Sequence, residues 1–210
     1  MPDTDQGTTE FWEEFYGQRD QVWSGNPNRL LVREVEDEPA GRALDIGCAE
    51  GGDAVWLARR GWRVTAVDVS ATALARAARH AAEAGVAEAI RFERHDLAES
   101  FPDGAYDLVS AQYFHSPVAH GTERADALRR AAELVAPGGV LLIVGHEGWP
   151  SWQEPHDFHL PTTAEVLESL ALPDGWLVEV QETVESPAHG PDGEHGTRAD
   201  NVLKLRRSAP

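Results

Sequence analysis

The sequence predicts an α/β fold built on a doubly wound, mostly parallel sheet, and three observations carry that expectation. Short apolar segments alternate with helix-patterned segments of about a dozen residues, long enough for right-handed crossovers between parallel strands, from residue 42 to residue 145. A glycine-rich turn follows the first apolar segment directly. Two adjacent period-two segments come last, as expected of an antiparallel hairpin on the edge of the sheet.

Residues 1–9 are polar, acidic and patternless, and are expected to be disordered. Phe11, Trp12, Phe15 and Tyr16 then fall at helical spacing and give one aromatic face. WSGNPN reads as a turn, followed by a short helix around Leu30, Leu31 and Val35 that ends in Asp37-Glu38-Pro39-Ala40-Gly41. ALDIG is the first strand, and GGDAVWLARRG a helix closed by Gly61. WRVTAVDVS is the second strand, and its Ser70 suits the N-cap of ATALARAARHAAEAG, which ends at Gly85. AIRFERHDL and AYDLVSAQYF are the third and fourth strands. A helix from about Thr122 to Ala136 shows Leu128, Ala131, Ala132 and Val135 on one face, and Pro137-Gly138-Gly139 stops it. VLLIVGHEG is the fifth strand, apolar throughout from Val140 to Val144 and so expected to be buried on both faces. Thr162 and Glu165 form a capping box ahead of Val166, Leu167 and Leu170. GWLVEVQETV and RADNVLKLRR are the hairpin strands, joined by the turn-rich SPAHGPDGEHG. Residues 1–40 are thus expected to form a helical lid segment, and residues 41–210 a single catalytic domain.

With 36 acidic and 18 basic residues the formal charge is -18. That field repels phosphate backbones, and no basic patch offsets it, so nucleic acid is not an expected partner. No apolar run approaches the roughly 20 residues that span a bilayer. The acidic N-terminal residues do not resemble a signal peptide. Cys48 is the only cysteine, so no internal disulfide is possible and a cytoplasmic location is the default. A monomer or weak dimer is expected.

The first turn, LDIGCAEGGDA, sets the chemistry. A nucleotide or sulfonium cofactor needs glycines for backbone approach, a carboxylate ending the second strand for ribose hydroxyls, and adenine contacts after the third strand. Gly47, Gly51 and Gly52, then Asp68, then Asp96 and Leu97 supply these in order, with Asp68 placed 23 residues after Asp45. A dinucleotide turn reads G-x-G-x-x-G, which Ala49 breaks; D-x-G-x-A-x-G, from Asp45 to Gly51, fits better. Asp45 and Glu50 would oppose a pyrophosphate, by on the order of 1–4 kcal/mol for one carboxylate at about 4 Å, and suit a positive sulfonium and ammonium. Ala49 is expected at negative φ, where its methyl costs nothing. An NAD-dependent oxidoreductase and a non-catalytic cofactor-binding module are the competing readings.

On ALDIGCAEGG, VTAVDVS, HDL, YDLVSAQ and the PGG before the fifth strand, the sequence resembles the class I S-adenosylmethionine-dependent methyltransferases over about residues 42–145. WSGNPN is similar to the lead-in segment of small-molecule members of the thiopurine and tellurite-resistance type. The resemblance implies a Rossmann-like seven-stranded sheet of order 3-2-1-4-5-7-6 with the last strand antiparallel. It implies S-adenosyl-L-methionine as methyl donor and S-adenosyl-L-homocysteine as product. It also implies roles: Asp45, Gly47, Cys48, Ala49 and Gly51 around the methionine moiety, Asp68 on the ribose, and Val69 flanking the adenine. Asp96 would meet the adenine amino group beside Leu97, Ala111 and Gln112 would lie under the transferred methyl, and Trp23 would cover the cofactor.

Methyl transfer is an in-line displacement, and the protein's task is to align the nucleophile and exclude water. A hydroxyl acceptor also needs a base. His115 and His146 follow the fourth and fifth strands, at the sheet end where such folds place their sites, and are the candidate catalytic residues. HEGWPSWQEPHDFH lacks a helical H-E-x-x-H, because residue 150 is proline, so no metal is expected. Phe11, Tyr16, Tyr113, Trp149 and Trp152, with Trp12 and Phe158, are expected to line the pocket of a small, apolar or aromatic methyl acceptor. The loop 185–196 reads as a solvated turn.

Overall fold

The computed structural model describes residues 7–119, 121–153, 159–189 and 193–209. The expectations for residues 1–6 and for Phe158 lie outside these described residues. Helices α1 (Thr8–Gly17) and α2 (Arg29–Val35) precede strand β1 (Arg42–Ile46). There follow α3 (Gly52–Arg59), β2 (Arg63–Asp68), α4 (Ala71–Glu83), a 3₁₀ turn (Ala87–Ala89), β3 (Ile90–Arg94) and β4 (Tyr106–Gln112). The second half comprises α5 (Glu123–Glu133), β5 (Val135–His146), α6 (Thr163–Leu170), β6 (Trp176–His189) and β7 (His195–Arg207). The seven strands form one sheet of order β3-β2-β1-β4-β5-β7-β6, with β7 antiparallel to both of its neighbours and the remaining pairs parallel. This is the expected topology.

Alternation along each strand builds two cores. Ala43, Val64, Leu108, Leu142 and Val144 face α2, α3 and α4, which contribute Leu31, Leu57 and Leu74. Their neighbours Leu44, Val109, Leu141 and Ile143 face α5 and α6, which contribute Leu128, Ala131 and Val166. Each Leu side chain fully buried in this way stabilises the fold by roughly 1.5–3 kcal/mol. The expected caps form: Ser70 Oγ accepts the N–H of Ala73 at 3.1 Å, and the Thr162–Glu165 box closes in both directions.

Three expectations are corrected. Thr8 and Thr9 open α1 instead of belonging to a disordered tail, because the aromatic face that follows them is docked. The helix expected to reach Ala136 ends at Glu133, and β5 begins at Val135, which pairs with Tyr106. Pro137-Gly138-Gly139 lies inside the strand, where a side chain at Gly139 would come within 2.9–3.0 Å of the carbonyl oxygens of Ala136, Asp107 and Tyr106. The loop expected at 185–196 is largely strand: Glu185–His189 pair with His195–Ala199. Pro187 is tolerated there because β6 is the sheet edge and need not donate outward. The lysine of β7, Lys204, reaches back to Glu38 at 2.7 Å and to the carbonyl of Glu34 at 2.8 Å, fastening β7 to the end of α2.

Candidate active site

A cavity of about 530 Å³ opens at the carboxyl ends of the parallel strands, where β1 meets β4 and the strand order reverses. This is where doubly wound sheets bind ligands, and the volume falls in the usual range of about 300–1,000 Å³ for ligand sites.

The β1–α3 turn forms one wall, with Gly47, Cys48, Ala49, Glu50, Gly52 and Asp53 lining the cavity. It is tied to β2 by the Cys48 N–H to the Val67 carbonyl and by the Ala49 N–H to Asp68 Oδ2, both at 2.9 Å. Ala49 has φ +49°, against the expectation of a negative value. Its methyl therefore costs roughly 1–2 kcal/mol, and the charge-assisted bond to Asp68 holds the residue in place. Gly51, expected at the cofactor, is absent from the cavity wall: at φ +83°, a side chain there would strike Ala77 at 2.8 Å, so this glycine packs the turn against α4.

Asp68 closes β2 and is nearly buried. Oδ1 accepts the Ser70 N–H and Oδ2 the Ala49 N–H, each at 2.9 Å, and burial raises its pKa above the ordinary carboxylate value. Val69, Asp96 and Leu97 complete this wall, with Asp96 Oδ1 accepting the Ala98 N–H at 3.0 Å. Asp45 is enclosed near the end of β1 and not on the wall; its Oδ2 has no hydrogen-bond partner among the described residues, and burial, with the charges of Asp53 and Asp68, raises its pKa strongly. Ala111 is fully buried in the core beneath the wall, whereas Gln112 lines the cavity and its Oε1 has no hydrogen-bond partner among the described residues. The two therefore divide a role that the sequence assigns to both.

Glu50 departs from its expected part as countercharge. Its carboxylate is buried and accepts the N–H groups of Val22 (3.1 Å) and Trp23 (2.8 Å) and a bond from Arg76 Nη1 (2.9 Å). Burial raises its pKa, but the bonds from Trp23, Arg76 and Val22 outweigh this and leave it below the usual value. Glu50 thus clasps the segment that brings α1 and Trp23 over the cavity. A second clasp is Glu13, which accepts from Ser70 Oγ at 2.7 Å and from the Thr72 hydroxyl at the start of α4. Tyr16, Trp12 and Trp23 line the cavity, and the Trp23 indole donates to the Tyr16 hydroxyl at 3.2 Å. Phe11 does not line it; its ring packs edge-on against Trp12 at 5.3 Å.

The far end is walled by Tyr113, Phe114, His115, Ser116, Arg124, His146 and Arg198. Both candidate histidines are here, with rings 5.9 Å apart and nearly parallel. Asp200, nearly buried in β7, accepts from His146 Nδ1 at 2.8 Å and from the Tyr113 hydroxyl at 3.1 Å. Trp149 and Trp152 are not on the wall, because the segment after β5 is drawn onto β7. Glu147 and Ser151 donate to the Ala199 and Thr197 carbonyls, and the Trp152 ring covers Gly196. Sequence reasoning missed Asp200, Arg198 and Arg124. The only signal for Asp200 is strand register, since it is the cross-strand partner of His146. Among the described residues, no group of three or more His, Cys, Asp and Glu side chains is placed to hold a metal ion.

The wall of acceptors at Asp68, Asp96 and Gln112 fits a ligand rich in hydroxyl, amino and ammonium donors. Among the described residues, the two arginines that line the cavity, Arg124 and Arg198, lie at the opposite end, beside Phe114 and Asp200. Fold and strand order are those of the class I S-adenosylmethionine-dependent methyltransferases, the family that the sequence resembles. In agreement, residues 43–139 match the family described as "Methyltransferase domain". The chain is 37% identical over 135 residues to the ubiquinone biosynthesis O-methyltransferase of Sodalis glossinidius, covering 63% of this chain and 53% of that protein. It is 31% identical over 142 residues to the ribosomal RNA small subunit methyltransferase C of Alcanivorax borkumensis, covering 65% and 43%. The chain spans about half the length of the curated relatives it matches. Among solved structures, one describing the conversion of a disulfide bond into a thioacetal group during echinomycin biosynthesis superposes with a TM-score of 0.73 at 21% identity, covering 95% of this chain and 93% of that one.

Proposed function

We propose that this chain transfers a methyl group from S-adenosylmethionine to a small molecule bearing an oxygen, nitrogen or sulfur nucleophile. The observation that carries the reading is Asp68, fixed at the end of β2 by two backbone N–H groups on the cavity wall. In this reading its remaining lone pairs receive the ribose hydroxyls, Asp96 and Leu97 hold the adenine, and Gly47, Cys48 and Gln112 surround the methionine moiety. The donor supplies a methyl group already activated by the positive sulfur. The protein's residues supply alignment and dryness: Trp12, Tyr16 and Trp23 line the cavity from the N-terminal side, which supports reading the N-terminal segment as a lid on the domain.

A nicotinamide dinucleotide is disfavoured because its pyrophosphate would face the carboxylates of Asp53 and Asp68, while the arginines that line the cavity among the described residues lie at its other end. RNA, which one relative's name suggests as acceptor, is disfavoured by the charge of -18. The test is calorimetric. Asp68→Ala weakens S-adenosylmethionine binding by about 1–3 kcal/mol, as expected on losing a charged hydrogen-bond acceptor. Unchanged affinity overturns the assignment.

A further inference from the structure

Three neighbouring strands bring one side chain each together at the far end of the cavity, with Tyr113 and His146 on its wall and Asp200 buried behind them. Tyr113 follows β4, His146 ends β5, and Asp200 lies opposite His146 in β7. A carboxylate can only accept, so the 2.8 Å contact from His146 Nδ1 to Asp200 Oδ1 puts the imidazole proton on Nδ1 and leaves the lone pair on Nε2. Nε2 has no hydrogen-bond partner among the described residues. Oδ2 of the same carboxylate takes the Tyr113 hydroxyl, and the Tyr113 ring lies 4.6 Å from the His146 ring. Tyr113 is held at φ +51°, a conformation rare for a bulky residue and typical of sites where geometry matters more than local comfort.

His115 plays a different part. Its Nε2 accepts the backbone N–H of His146 at 3.3 Å, and burial, with the nearby Arg124 and His146, pushes its pKa down to about 3. It is a neutral wall that braces the His146 backbone. Arg198 completes the surroundings: its Nε is 3.6 Å from Asp200 Oδ1, it lines the cavity, and it places a positive charge beside any oxygen that meets His146. Tyr113 and Phe114 offer flat apolar surfaces to the same space.

Resting on the methyltransferase reading above, we propose that His146 is the proton acceptor of the reaction, that Asp200 is its positioning residue, and that the acceptor is a weakly acidic hydroxyl on a small planar ring. The hydroxyl oxygen forms the new bond to the methyl carbon as the methyl–sulfur bond breaks with its electron pair going to sulfur. The hydroxyl proton passes to His146 Nε2, and the imidazolium so formed is neutralised by Asp200 until the proton leaves to water. The products are a methyl ether, the neutral thioether and one proton. A thiolate acceptor is already ionised and an amine carries a free lone pair, so neither requires the dyad.

The probe is 4-nitrophenol, whose phenolate absorbs at a longer wavelength than the phenol. It is titrated into protein saturated with S-adenosylhomocysteine, at a pH below the free phenol's own pKa. Wild-type protein binds the probe and enriches the phenolate band. His146→Gln abolishes the enrichment, and Asp200→Asn reduces it about tenfold while changing probe affinity by less than about threefold, since a positioning residue acts on proton transfer more than on occupancy. No probe binding by the wild type, or a phenolate band unchanged in His146→Gln, overturns the proposal. A loss of affinity in Asp200→Asn with an unchanged phenolate fraction makes Asp200 merely structural and overturns its role. Calorimetry of S-adenosylhomocysteine separates the two readings: if it fails to bind, the methyltransferase reading falls; if it binds and the probe does not ionise, only this proposal falls.

Discussion

At Ala49 the chain accepts a local cost at the residue on which the β1–α3 turn is centred. The sequence alone favours a negative φ there, because alanine carries no mark of left-handed backbone and its methyl makes that region unfavourable. The structure places it at +49° with its N–H on Asp68. Ala49→Gly removes a strain of roughly 1–2 kcal/mol and adds back about 0.4–1 kcal/mol of unfolded-chain entropy. The variant is therefore expected to be more stable by about 0.5–1 kcal/mol, read from urea unfolding at constant slope. A destabilised variant would mean that the methyl packs usefully. Asp68 was legible from its spacing after Asp45, since both residues end strands. Asp200 was not, since an acid in a period-two strand looks like any solvated residue until the register brings it opposite His146.

At the scale of elements, periodicity located helices α1–α6 and strands β1–β7, because alternation and helical spacing are dictated by which face is buried. Ends were less legible. Pro137-Gly138-Gly139 reads as a stop, yet the backbone continues as strand through it, because Gly139 permits an approach to β4 that no other residue would. The N-terminal segment proposed as a lid was legible as an aromatic face, but its fastening was not. Glu50 looks like part of the cofactor turn, and only the fold shows its carboxylate turned to Val22, Trp23 and Arg76. Glu50→Gln should loosen this clasp, leaving Arg76 without its ion pair. Hydrogen exchange at the Val22 and Trp23 amides is expected to speed up at least tenfold, corresponding to about 1.4 kcal/mol. Amides in β4 and β5 are expected to keep their protection; if theirs falls equally, the lid is not a separable unit.

For the molecule as a whole, buried ionisable groups shape the pH dependence of stability. His115 has its folded-state pKa depressed to about 3, below the ordinary value of 6.5. The unfolded chain therefore takes up a proton below about pH 6.5 that the native state refuses, and stability falls as pH drops from there towards 3. Asp45, Asp53 and Asp68 have raised values from burial, so the native state holds protons that the unfolded chain has released, and their contribution improves as pH falls. His115→Gln should lose the first effect alone. Between about pH 6 and 4, its stability-against-pH slope is expected to be less steep than that of the wild type by up to about one proton. Identical slopes would place His115 in contact with water.

The position of β7 also bears on how the chain folds. The last strand in sequence lies between β5 and β6, and Lys204 ties it to Glu34 and Glu38, some 170 residues earlier. During synthesis the outer half of the sheet must wait: β5 can pair with β4, but its outer edge and all of β6 lack their neighbour until residues 195–207 have emerged. Contacts so distant in sequence slow folding, and the unpaired β5 edge is apolar while it waits. The interval between making β5 and making β7 is therefore when this protein is most exposed to aggregation, and a chaperone that shields apolar strands would matter most then.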